Sequence, residues 1–349
     1  MRIAMVVPPW IKVPPEKYGG IEEVVANLIR YLRERGVDIT LYTVGKSEVE
    51  CEKRYYYEDE MIEYLAKPPS SFLNVALTHI SFAYMDIANG NYDLVHDHSW
   101  KEGLCCRNMI DIPFLHTIHS PMDEENINFY SQYARRKDIH FVALTDFQRR
   151  KLPELNYAGI VYNGIDVSKY RFSEEKEDFF LYLGRFNENK APHIACEIAK
   201  KLNLRLILAG KVNEKEEKDY FEKYVRRYLN SKIVFLGEVS EREKIELFSK
   251  AKGYLFPIQW DEPFGITMVE ALASGTPVIT FSRGAAPEVV EHGKTGFVVQ
   301  SIEEFEKYVF WVEKISPKAC RERAEKLFSV EAMGKRYLEI YRKILEEWG

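Results

Sequence analysis

The sequence predicts an α/β protein made of two doubly wound, parallel-sheet units, and three observations carry that expectation. Its 349 residues suffice for two domains of about 150 residues, each burying its own core, and a 46% hydrophobic content supplies the side chains. Near the start, a short continuous apolar run is followed by a glycine turn and then by apolar residues at helical spacing. From Phe179 the alternation of strand-like and helix-like segments begins afresh.

Ile3 to Val7 is the first apolar run, of the kind buried in a parallel sheet. After the loop ending Tyr18-Gly19-Gly20, the residues Ile21, Val24, Val25, Leu28, Ile29 and Leu32 share one helical face, with Glu22 and Glu23 in the first turn and Gly36 as the stop. Strand, glycine turn and helix open a Rossmann-like unit in which Gly19-Gly20 lets backbone approach a phosphate at a helix N-terminus. Val37 to Val44 reads as the second strand and Ser71 to Ala88 as a helix, whereas residues 46–70 have no clear period.

Asp93 to His96 and Phe114 to Ile118 read as strands, so His96-Asp97-His98 and His119 fall at carboxyl ends, the edge where open α/β sheets bind ligands. Two histidines without further clustered ligands do not make a metal site, so hydrogen-bonded edge residues are expected there. Residues 121–137 read as a polar, aromatic helix or loop, and Arg149-Arg150-Lys151 adds local positive charge. Ile139 to Leu144 is the last strand expected in this half.

The second half starts with strand Phe179 to Leu183, ending Gly184-Arg185, and Lys190 stands before an alanine-rich helix. Arg185 and Lys190 pair a planar cation with a point charge, a combination suited to a diphosphate. Strands then recur at Leu204 to Ala209, Ile233 to Leu236 and Tyr254 to Phe256, between helices at about 216–229 and from Glu241. Asp261 to Ile279 reads as loop, helix, then buried strand: Pro263 and Gly265 break the chain before an apolar run that closes on Gly275. The N–H groups of Gly265, Ile266 and Thr267 would leave the helix N-terminus open to an anion, with Glu262 before it and Glu270 within it.

Two glutamates eight positions apart around Pro263-Phe264-Gly265, followed by Glu270-Ala271-Leu272-Ala273-Ser274-Gly275-Thr276-Pro277-Val278-Ile279, resemble the signature of family 4 glycosyltransferases, the group that includes glycogen synthase and phosphatidylinositol mannosyltransferase. Ser282 to Glu288 and Gly293 to Phe297 extend the resemblance over most of residues 179–300, and Val161 to Asp166 resembles the family's inter-domain segment. The resemblance implies the GT-B fold, two Rossmann-like domains facing across a cleft. The first spans residues 1–168 with a returning helix at 330–349, and the second spans 172–329. It implies a retaining transfer of a hexose from a UDP-, GDP- or ADP-sugar to a hydroxyl acceptor, front-face, with the leaving phosphate taking the acceptor's proton and no enzymic general base. The acceptor is a glycan, a lipid-linked molecule or a small molecule, and residues 121–137 would face it.

In roles the resemblance implies, Glu270 binds ribose hydroxyls, and Glu262 and His119 hold the sugar ring. Backbone from Phe264 through Gly265 and Ile266 to Thr267 meets sugar and phosphate, Gly19 and Gly20 lie beside the diphosphate, and Arg185 and Lys190 stabilise its charge without a metal. The family's usual glutamate and glycine around that lysine are replaced here by Asn189 and Ala191, which alters the loop. A GT-B epimerase or phosphorylase, or a non-catalytic nucleotide-sugar binder, would use the same residues.

Bulk properties exclude other classes. A net charge of −5 offers no whole-molecule footprint for nucleic acid. No Gly-x-Gly-x-x-Gly fingerprint exists to argue for a dinucleotide, so no cofactor is expected. No signal pattern and no run of about 20 apolar residues is present, which points to a cytoplasmic protein, with peripheral membrane contact still open. The five cysteines are odd in number and lack Cys-x-x-Cys spacing, so buried free thiols are expected rather than disulfides or zinc ligands.

Overall fold

The computed structural model describes residues 1–16 and 19–348, so Tyr18 of the first glycine turn lies outside the described residues. Two compact units result, one formed by Met1–Gly164 with Val330–Gly349 and the other by Ile165–Ser329.

The first unit holds seven strands: β1 (Arg2–Val6), β2 (Asp38–Thr43), β3 (Glu52–Tyr55), β4 (Leu94–Asp97), β5 (Phe114–Ile118), β6 (Ile139–Ala143) and β7 (Tyr157–Ile160). They form one parallel sheet in the order β3-β2-β1-β4-β5-β6-β7. Ile3, Ala4, Met5 and Val6 are all buried, as expected of a strand covered on both faces. Helix Gly20–Arg33 buries Val24, Val25, Leu28 and Leu32, leaving its acidic first turn at the N-terminus. Helix Val330–Trp348 returns to this unit and packs on Gly20–Arg33. Gly334 permits the approach, because a Cβ there would stand 2.2 Å from the Tyr31 ring.

The second unit repeats the scheme with β8 (Glu177–Leu183), β9 (Leu206–Ala209), β10 (Ile233–Phe235), β11 (Ala251–Phe256), β12 (Val278–Phe281) and β13 (Gly296–Val299). Their order is β10-β9-β8-β11-β12-β13, again all parallel. In both sheets the winding reverses beside the first strand, between β1 and β4 and between β8 and β11. At such a switch point the loops leave the carboxyl edge in opposite directions and open a crevice.

The structure departs from the sequence reading where periodicity is weak. Within 46–70 it finds β3, an edge strand whose Glu52, Lys53 and Tyr55 are exposed, so no apolar alternation marks it. Helix Lys215–Tyr220 runs into a π-helical turn, Phe221–Val225, and a short 3₁₀ segment, Arg226–Tyr228, instead of continuing evenly to 229. The 121–137 stretch contains helix Glu124–Ser131, capped by the Asp123 carboxylate accepting from the Asn126 N–H at 2.9 Å. All five cysteines are free, but only Cys196 and Cys320 are buried. Cys105 is exposed on a short surface helix, contrary to the expectation of buried thiols.

Candidate active site

In the second unit the loops after β8 and β11 flank the switch point. The β11 loop reaches Gly265, whose φ of +81° is the left-handed conformation that glycine adopts without strain. Helix Ile266–Ala273 starts there, and its first N–H groups have no carbonyl of their own helix to bond. Thr267 is oriented by the Tyr254 hydroxyl, which donates to the Leu183 carbonyl at 2.7 Å and accepts from Thr267 Oγ1 at 2.9 Å. Phe264 is buried against Phe328, anchoring the turn.

Glu262 and Lys190 meet as a direct ion pair, both largely buried. The Trp260 indole N–H also donates to Glu262 Oε2, at 2.9 Å, and Lys190 Nζ lies 5.1 Å from the Phe256 ring centroid and 5.2 Å from that of Trp260. Gly284 supports this loop from behind: a Cβ there would fall 2.3 Å from Glu262 N and O, while the Ala285 N–H donates to the Glu262 carbonyl at 2.8 Å. The loop before Lys190 is closed by the Asn187 side chain accepting from Lys190 N–H at 3.0 Å. Ala191, where the family's pattern has glycine, takes φ +47° and ψ +49°. An alanine thus stands in the left-handed region, a conformation that costs an L-residue about 1–2 kcal/mol.

Glu270 is buried in the helix, and its Oε1 accepts from both the Tyr170 hydroxyl and Lys244 Nζ, each at 2.6 Å. Among the described residues no hydrogen bond to Oε2 is seen. Arg185 is engaged elsewhere, with Nε 3.0 Å from Glu217 Oε1 and Nη2 3.1 Å from Glu214 Oε2. The structure therefore pairs Lys190 with Glu262 and Arg185 with Glu214 and Glu217.

In the first unit, Gly19 caps helix Gly20–Arg33 with extended backbone, and a Cβ there would meet Pro15 Cβ at 2.7 Å and Glu22 Oε2 at 3.0 Å. The Glu22 carboxyl is buried, and that burial pushes its pKa up to about 7. After β5, His119 is half-buried and its Nε2 lies 2.9 Å from His98 Nδ1. Burial, with His116 nearby, lowers the His119 pKa to about 3, so the ring is neutral at physiological pH. His96 and His98 are buried in a hydrogen-bonded chain, the edge role expected of them.

Sequence reasoning missed Tyr170, Lys244, Trp260 and the Glu214–Glu217 pair. Tyr170, Lys244 and the Glu214–Glu217 pair come from positions distant in sequence that no local pattern signals, whereas Trp260 stands only two residues before Glu262. Gly284 was within reach, because it sits in the quoted stretch Ser282 to Glu288.

Two family models cover nearly all of the chain: Glycosyltransferase Family 4 matches residues 18–169 and Glycosyl transferases group 1 matches residues 166–327. D-inositol 3-phosphate glycosyltransferase of Corynebacterium aurimucosum is 25% identical, over 86% of this chain and 84% of its own. Among solved structures, sucrose-phosphate synthase of Thermosynechococcus elongatus aligns with a TM-score of 0.81 at 20% identity, covering 99% of each chain. Anabaena HepE in complex with UDP-glucose aligns with a TM-score of 0.71 at 17% identity, over 100% of this chain and 99% of its own. At those identities the structural matches speak to the fold, and with the family models they lead to one conclusion: the chain belongs to the family 4 glycosyltransferases and has their GT-B fold of two Rossmann-like domains.

Proposed function

We propose that this protein transfers a hexose from a nucleoside-diphosphate sugar to a hydroxyl acceptor with retention of anomeric configuration. The observation that supports this most is the loop and helix from Glu262 to Glu270. An anion-ready helix N-terminus lies between a carboxylate paired with Lys190 and a carboxylate with one oxygen uncommitted. In this reading Glu270 Oε2 takes the ribose hydroxyls, the N–H groups from Gly265 to Thr267 take the diphosphate, and Glu262 takes sugar hydroxyls. Gly19 and Gly20 lie beside the diphosphate, and His119 contacts the sugar.

Donor binding then rearranges charge. The diphosphate takes Lys190 from Glu262, freeing that carboxylate for the sugar, and Arg185 moves from Glu214 and Glu217 toward the leaving group. Both cations and the helix N-terminus stabilise the charge that grows on the departing phosphate, so no divalent metal is needed. That phosphate accepts the acceptor's proton, and no side chain serves as general base. HepE binds UDP-glucose, which makes UDP-glucose the first donor to try.

The test is to incubate the protein with UDP-, GDP- and ADP-glucose and an acceptor panel, with and without EDTA, and to follow nucleotide release and product anomeric signals by NMR. The expected result is acceptor-dependent release of one nucleotide, unaffected by EDTA, with the donor's anomeric configuration in the product. A changed sugar nucleotide without acceptor would show an epimerase instead. Dependence on inorganic phosphate would show a phosphorylase, and binding without turnover a non-catalytic binder.

A further inference from the structure

The His96-Asp97-His98 motif has no part in the function proposed above, yet its histidines are tied to His119. His119 Nε2 meets His98 Nδ1 at 2.9 Å, His98 Nε2 meets His96 Nδ1 at 3.2 Å, and His96 Nε2 meets Thr117 Oγ1 at 2.8 Å. Two tyrosines of helix Val330–Trp348 close the far end, Tyr341 on His96 Nδ1 at 2.7 Å and Tyr337 on Thr117 Oγ1 at 3.0 Å. His96 and His98 are fully buried, and only His119 has solvent exposure.

We propose that His98 is a positioning residue which, backed by His96 and Thr117, locks His119 in one tautomer and one ring orientation and leaves His119 Nδ1 to meet a substrate hydroxyl. The sugar-contact role of His119 belongs to the function proposed above, and this inference rests on that reading. Its logic is a proton count. A neutral imidazole has one N–H and one bare nitrogen. His98 spends both nitrogens on ring partners, and His96 spends Nε2 on Thr117 and shares Nδ1 between His98 and the Tyr341 hydroxyl, which can donate or accept to suit either tautomer. If His98 donates through Nδ1, its Nε2 must accept from His96 Nδ1, and His96 Nε2 must accept from Thr117. If His98 accepts at Nδ1, each of these bonds reverses. Either way the three rings change tautomer together, so His119 does not switch alone: its donor or acceptor state is tied to those of His98, His96 and Thr117.

Asp97 does not join this chain. It pairs with His116 Nδ1 at 2.6 Å and with Ser99 Oγ at 2.8 Å, so no carboxylate touches the three rings through the bonds described. The chain thus orients without supplying charge, as suits a group facing a neutral sugar hydroxyl.

The test uses the full chain labelled with 15N-histidine, in long-range 1H–15N spectra and in an experiment that detects 15N–15N coupling across a hydrogen bond. In the wild type, His119 should be a single neutral tautomer between pH 6 and 8, with coupling between His119 Nε2 and His98 Nδ1; His119→Gln assigns the signals. Absence of that coupling, or a His119 averaging two tautomers, overturns the proposal without any variant. His98→Asn keeps an amide near the Nδ1 position, and His98→Leu removes it. His119 should stay locked in the first and average in the second, and a locked His119 in a folded His98→Leu protein also overturns the proposal. With UDP-glucose as donor, His98→Leu should lower kcat about 10-fold, the scale of one lost positioning hydrogen bond, and His98→Asn should recover most of it. Calorimetry with UDP reads the second unit separately. If UDP does not bind the wild type, the donor reading fails, while the coupling still decides the histidine chain.

Discussion

The two units share a strand order and a switch point, yet they furnish the carboxyl edges of their sheets with opposite chemistry. In the first unit the groups linked to His119 are neutral: three imidazoles, a threonine and two tyrosines in one hydrogen-bonded chain, with the Asp97–His116 pair outside it. In the second they are charged and already paired, Lys190 with Glu262, Lys244 with Glu270, and Arg185 with Glu214 and Glu217. Buried charges without partners are expensive, so a site meant for a diphosphate must hold its cations on carboxylates until the ligand arrives. A site facing neutral hydroxyls needs no such arrangement. Under the proposed function, one fold thereby serves two recognition tasks by changing a few loop residues.

Acid should separate the units most strongly. Burial holds the pKa values of His96, His98 and His119 below the ordinary histidine value, that of His119 at about 3. Between pH 6.5 and that range these three histidines bind fewer protons in the folded state than in the unfolded chain, which outweighs the one proton that buried Glu22, with its pKa of about 7, holds more firmly in the folded state. The stability from these groups is therefore complete above about pH 6.5 and is lost as pH falls, by up to about 1.4 kcal/mol per pH unit for each fully withheld proton. Between pH 6.5 and 5, above the usual carboxylate range, hydrogen exchange should show the first unit losing protection before the second. Earlier loss in the second unit would refute the contrast.

Next in size is Lys190→Ala, which removes a cation from the developing phosphate charge and leaves Glu262 buried without its partner. Turnover with the accepted sugar nucleotide should fall about 100- to 1,000-fold, and a wild-type rate would remove Lys190 from the site. Tyr170→Phe deletes one of the two bonds to Glu270 Oε1, so nucleotide affinity should weaken about 5- to 10-fold, near 1 kcal/mol. An unchanged affinity would mean that Lys244 alone holds the carboxylate. Smallest is Ala191→Gly. Relief of left-handed strain is nearly offset by glycine's extra chain entropy, so a melting curve should show stability unchanged or raised by up to about 1 kcal/mol. A clear loss would mean that the alanine methyl packs usefully.

The sequence made legible whatever is local and periodic. The apolar runs of β1, β5, β8 and β9, the helix following Gly19-Gly20, and the turn at Gly265 all announce themselves within a few residues. So does the carboxylate pair Glu262 and Glu270, because its spacing is set by one loop and one helix. Illegible were the partners that folding brings from afar: Tyr170 reaches Glu270 across 100 residues, and Tyr341 reaches His96 across 245. The edge strand β3 was hidden for a different reason, since an exposed strand needs no apolar face. The ion pairing of the site residues read from the motif was not foreseeable, because Glu214 and Glu217 sit in a charged helix start that looks like ordinary solvated surface.

The central claim is that the second unit holds a nucleoside diphosphate through Glu270 and the adjoining helix N-terminus. Calorimetric titration with UDP, GDP and ADP, each beside the Glu270→Ala variant, tests it most directly. The account predicts that one diphosphate binds selectively and that the variant binds it about 10- to 100-fold more weakly, a loss of about 1.4–2.7 kcal/mol. Equal affinity of the wild type and the variant, or no binding of any of the three at millimolar concentration, would contradict it.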